Sequence, residues 1–210
     1  MTYQVVSLGV EGVGQGLLMH NPASMRAAEG DAKPARSGKK IPAPMEEALQ
    51  ALYIMPGEDQ LYAAPDWFRE AALVAAKEFK DRSRRGNATM VQRFSASVFQ
   101  SDLYFPLWRA EEATNAGKPI TSAPEDWEIF LKRVVVQGNG IVRARPLIRD
   151  WACDVEFEYD DETIEPVLIA PIVNTAGKFP GIGDYRPGKK GPFGRYRVIS
   201  LNGEPWEAGK

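Results

Sequence analysis

The 210-residue sequence has a single cysteine, Cys153, and a single histidine, His20. One cysteine excludes an internal disulfide and leaves a thiolate zinc site short of ligands. A Ser-His-Asp relay, a Cys-His pair or a multi-histidine metal site would each have to work through His20 alone, so a non-catalytic protein without a cofactor is expected. No run approaches the roughly 18 apolar residues of a membrane span. The N-terminus also lacks a charged stretch followed by an apolar core, so a cytoplasmic chain without membrane contact is expected. An excess of one charge is missing too. The formal net charge is -2, which gives no global attraction to a polyanion. Any nucleic-acid role must therefore come from locally clustered Lys and Arg.

What the sequence does contain is an ordinary globular mix, 44% hydrophobic and 26% charged. Its length suits one hydrophobic core carrying insertions. Tyr3 to Met19 mixes β-branched residues with glycines and reads as a strand with bends. The GVGQG within it is poor evidence for a phosphate loop, because neither a helix start nor a Lys-Ser/Thr pair follows. Residues 22–44 and 105–126 are rich in Ala, Pro, Gly and polar side chains and read as surface insertions. Pro65, Asp66 and the repeat Phe68, Ala71, Ala72, Ala75, Phe79 predict an amphipathic helix with a small-residue face. That helix runs into Arg82, Arg84 and Arg85, more positive charge than its dipole requires.

Val91 to Tyr104 reads as strands, and Gln137-Gly138-Asn139-Gly140 marks the turn of a hairpin between Val134 to Val136 and Ile141 to Ile148. Cys153, Val155, Phe157 and Tyr159 alternate with Asp154, Glu156, Glu158 and Asp160, the pattern of a half-buried strand with an acidic outer face. Four carboxylates invite a metal-dependent nuclease reading that draws on Asp150, Asp154 and Asp184. Alternate residues of one strand, however, spread over about 20 Å, which favours a solvated face. Thr163 is the expected N-cap of a last helix through Ile164, Leu168 and Ile172.

The chain then ends in GIGDYRPGKKGPFGRYRV. Gly181, Gly183, Gly191 and Gly194 alternate with Arg186, Lys189, Lys190 and Arg195 and with aromatic residues. Glycines let backbone amides approach phosphate, basic side chains neutralise it, and aromatic rings stack on exposed bases. This ending resembles the glycine-rich loop of the repeat-associated CRISPR superfamily, and Pro65-Asp66 to Lys80 is similar to that family's first helix. The chain also looks like a group of phage-encoded proteins that share LLMHN near the start, an R-x-R-P segment before an acidic strand, and the GIGDYRP...GRYRV ending. In this sequence those are residues 17–21, Arg143 to Trp151 and 181–198.

The CRISPR resemblance implies a ferredoxin-like, RNA-recognition-type βαββαβ core in an α+β domain spanning 1–210. It also implies single-stranded RNA or DNA as partner, with self-association or a protein partner beside it. The expected contacts are the loop amides and Arg186, Lys189, Lys190 and Arg195, with Arg82, Arg84, Arg85, Arg143 and Arg145 extending the track. The alternative is a phage inhibitor of the same fold that turns its acidic strand toward a host complex.

Overall fold

The computed structural model describes residues 3–20, 43–110, 117–136 and 139–208. Two antiparallel sheets dominate. The larger is built on β1 (Tyr3–Val13), β4 (Val98–Gln100), β6 (Trp108–Arg109), β9 (Trp151–Asp160), β10 (Arg195–Leu201) and β11 (Glu204–Pro205). Its order is β11-β10-β1-β9-β4, with β6 also pairing β9. The smaller is β2-β8-β7, from Leu17–Leu18, Asn139–Ile148 and Glu128–Val136. A two-residue pair joins β3 (Tyr62–Ala63) to β5 (Phe105–Pro106). The helices are α1 (Pro44–Leu49), α2 (Pro65–Ala75), α3 (Val91–Ser97) and α4 (Pro166–Lys178). The class is α+β.

Alternation explains the central strands. Val6, Leu8 and Val10 of β1 face the same core as Cys153, Val155, Phe157 and Tyr159 of β9. Phe68, Ala71, Ala72 and Ala75 of α2 complete that core with Ile169, Ile172, Val173 and Ala176 of α4. Side chains of the smaller sheet, Leu17, Ala144 and Ile148, belong to the same buried cluster.

Several expectations need correction. Val91 to Ser97 is helical, and only Val98 to Gln100 is a strand. Phe94 packs on Phe157 at a ring separation of 6.4 Å, so burial on the sheet overrides β-propensity there. The strands expected at Ile141 to Ile148 and from Cys153 belong to different sheets, parted at the Arg149-Asp150 corner, where Asp150 adopts φ 44°. Thr163 does not cap α4, because its hydroxyl donates to Asp160 Oδ2 at 2.7 Å and the helix begins at Pro166. The 105–126 stretch is more than surface, since Phe105, Leu107 and Ile120 are buried in the core. Residues 111–116 lie outside the described residues, as does most of the 22–44 stretch; of the latter, Ala43 and Pro44 are described, and Pro44 opens α1.

Candidate nucleic-acid interface

The glycine-rich segment leaves the C-terminus of α4 and returns as β10, so it sits at the end of the sheet where Val13 pairs with Arg195. Its backbone is closed on itself. The amides of Gly181, Ile182, Gly188, Lys189, Lys190, Gly191 and Phe193 donate to carbonyls of residues 176–194. Those of Asp184 and Gly194 donate to Leu18 and Gly16, and that of Tyr185 to the Asp184 carboxylate. Most of the amides expected to cradle phosphate, those of Gly181, Gly191 and Gly194 among them, are therefore engaged within the fold.

The glycines follow from the same packing. Gly183 (φ 73°) and Gly194 (φ 68°) take the left-handed conformation, and a Cβ on either would collide with a backbone carbonyl, Leu18 O or Ile182 O. What faces solvent is side-chain charge. Lys189, Lys190 and Arg195 are exposed and make no ion pair among the described residues. Arg186 instead donates to Gly183 O at 2.9 Å and braces the loop.

The loop rests on the smaller sheet. Phe193 meets Phe130 edge-on at 4.9 Å, and Lys132 Nζ lies 2.9 Å from the Tyr185 ring centre. The sequence reading missed Lys132. The hairpin register that pairs it with Arg143 was the signal that could have found it. Arg143 and Arg145 both reach Glu47 Oε1, at 3.1 and 3.4 Å, and Arg145 Nε lies 3.6 Å from Asp184 Oδ2. Arg145 is largely buried and works as a brace, while Arg143 remains part-exposed beside Lys132.

Arg82, Arg84 and Arg85 are not contiguous with this surface. They follow α2 at the opposite end of the sheet, where Tyr3 pairs with Asp160 and α4 begins. Lys80 and Arg82 line a groove there with Glu165 and Leu168. The 13 residues of α4 separate the two ends by about 20 Å. Arg84 is also tied back, to Gln92 and to Asp81. Asp81, which accepts hydrogen bonds from the Ser83 hydroxyl and amide and faces Arg93 and Arg84, is held below the usual carboxylate range.

The outer face of the large sheet is acidic. Asp154, Glu156 and Glu158 alternate outward, with Glu11 on β1 beside them and paired to Arg197 at 3.2 Å. Burial, then the neighbouring Glu156, pushes the Asp154 carboxyl up. That face repels phosphate. Among the described residues no three of His, Cys, Asp and Glu gather as a metal site. Cys153 is buried beneath the same strand, and burial together with Asp154 raises its thiol well above the ordinary range, which suits packing rather than nucleophilic chemistry. No helix among the described residues is long and apolar enough to cross a membrane.

No family model matches this chain, and none of the curated proteins matches it in sequence. Among solved structures, that of the type III-B Cmr-beta bound to cognate target RNA is similar with a TM-score of 0.42 and 8% identity. The match covers 95% of this chain and 60% of that one, so this chain spans less than two thirds of its neighbour's length. A likeness at that level carries no argument about function, which has to rest on the side chains.

Proposed function

We propose that this protein binds single-stranded nucleic acid without cleaving it, through side chains at the glycine-rich end of the sheet. The observation that carries the proposal is the group of exposed basic residues Lys189, Lys190 and Arg195, which have no carboxylate partner among the described residues. Lys132 and Arg143 on the adjoining hairpin add charge, and Tyr185 places an aromatic ring between loop and hairpin. The loop supplies rigidity in place of amides, holding the cations on a backbone whose hydrogen bonds are already made.

The strand order β10-β1-β9-β4, with α2 between β1 and β4 and α4 between β9 and β10, supports reading the larger sheet as a βαββαβ core. In this reading the long excursion from β5 to β8 is an insertion that supplies β7 and β8 of the smaller sheet. Its open face differs from a base-stacking platform, because carboxylates occupy the centre. Contact is accordingly assigned to the end of the sheet and not to its face.

The test is fluorescence-anisotropy titration of short single-stranded RNA and DNA at low and moderate salt. Wild type is compared with Lys189→Ala/Lys190→Ala/Arg195→Ala, and Arg186 is left in place because it braces the loop. Salt-sensitive binding that falls at least tenfold in the triple variant is expected. Absence of binding at low salt would sink the proposal. It would move the assignment to a basic protein partner of the Asp154, Glu156 and Glu158 face, beside which Tyr3, Val5 and Phe99 are exposed.

A further inference from the structure

Helix α4 has a groove at each end. The first, about 870 Å³, is lined by Lys80, Arg82, Arg93, Glu165 and Leu168 among others. The second, about 380 Å³, is lined by Lys178, Arg197, Trp206 and Glu207 with residues of β10. Both carry carboxylates as well, Glu78, Asp81 and Glu165 in the first and Glu207 in the second, where Arg197 is also paired with Glu11. Asp81 faces Arg84 and Arg93, however, and Arg82 and the neighbouring Arg85 are exposed and unpaired among the described residues. The helix between them, PVLIAPIVNTAGK, contains no carboxylate at all. Its exposed positions are Pro166, Val167 and Lys178, with Phe179 just beyond it 67% exposed. A polyanion leaving the glycine-rich end thus meets an uncharged helix surface along α4 beyond Lys178, with Glu165 exposed just before its start, and an acidic barrier across the sheet.

We infer that a bound strand runs the length of α4, from the Lys178-Arg197-Trp206 groove to the Lys80-Arg82 groove, so that Lys178 at one end, unpaired among the described residues, and Arg82 with Arg85 at the other act as one bivalent site. This rests on the nucleic-acid reading above and adds the strand's route and minimum length. About 20 Å of helix corresponds to about six nucleotides at the roughly 3.4 Å per nucleotide of a stacked strand. A trimer reaches one end only. A ten-nucleotide strand reaches both, and its second contact is intramolecular and gains from a high effective concentration. Trp206, partly buried against the core at one groove, offers a ring edge or face to a terminal base.

The experiment titrates 3-mer and 10-mer oligonucleotides of oligo(U) and oligo(dT) against wild type, Arg82→Ala/Arg85→Ala, Val167→Glu and Val5→Glu. Val167 is 63% exposed on the path, and Val5 is 54% exposed on the sheet face. Both tolerate a carboxylate without burying it. The Arg82/Arg85 variant is expected to bind the 10-mer about tenfold more weakly and the 3-mer as well as wild type does. Val167→Glu should weaken the 10-mer several-fold, while Val5→Glu leaves both oligonucleotides unchanged. Ten-mer binding indifferent to Arg82/Arg85 and to Val167→Glu overturns the route. If Lys189, Lys190 and Arg195 still matter in that case, the nucleic-acid assignment stands without it. Failure of both oligonucleotides to bind wild type removes the route and the assignment together.

Discussion

Gly194 shows how a residue can look functional and be structural. In sequence it is one of several glycines among lysines and arginines, the composition of a phosphate-binding loop. In the fold its amide donates to Gly16 O, its carbonyl accepts from Ile182, and its φ of 68° is open to few other residues. Gly194→Ala is therefore expected to cost about 2 kcal/mol or more, through left-handed strain and the clash with Ile182 O. Urea denaturation measures it, and an unchanged midpoint would show that the loop relaxes freely. Lys189 and Lys190 are the opposite case. Their type and position were legible in the sequence, and the structure leaves them exposed.

At the scale of elements, periodicity was a good guide where one face is buried and the other wet. It found β9 and its acidic face, the helix from Pro65, and the β7-β8 hairpin. It failed at α3, whose seven residues are too few for the period to show, and whose helix is set by Phe94 packing on Phe157. It also misjudged the 105–126 stretch as mere surface. There Asp126 accepts from the Thr121 amide and hydroxyl at 2.9 and 2.6 Å and from Arg109 at 3.1 Å, tying the connection to β6.

Burial alone would raise the Asp126 carboxyl, but the bonds from Thr121 and Arg109 prevail, and its pKa lies below the ordinary value. A depressed folded pKa means that this stabilisation is complete above the unfolded pKa of about 3.9 and is lost as pH falls through the lower, folded value. Asp126→Asn should accordingly lower stability by about 1–3 kcal/mol at pH 7 and flatten the decline below pH 4. Thermal melts across pH 2–7 test this, and parallel wild-type and variant curves would refute it.

On the scale of the whole molecule, charge is partitioned although the net value is small. The open sheet face is acidic, the glycine-rich end is basic, and a second basic cluster lies about 20 Å away at the other end of α4. Under the proposed function, such partition makes binding salt-dependent in proportion to the phosphates engaged. Log affinity for a 10-mer plotted against log salt should lose about 2 from its slope in Lys189→Ala/Lys190→Ala/Arg195→Ala, given about 0.7 per neutralised phosphate on a single strand. A slope unchanged by the three substitutions would show that they lie off the contact surface.

By itself the sequence determined the class of the fold, the alternation of β9, the helix from Pro65, the shortage of thiol and imidazole groups, and the presence of basic clusters. Each of these depends on local order along the chain, where a side-chain period of 2 or 3.6 marks a face and composition limits chemistry. Only the tertiary structure decided which clusters share a surface. It placed Arg82 and Lys189 at opposite ends of α4, buried Arg145 between Glu47 and Asp184, and brought Lys132 from the hairpin onto Tyr185. It also engaged the loop amides, because a backbone folded between two sheets has to satisfy its own hydrogen bonds before it can offer any to a ligand.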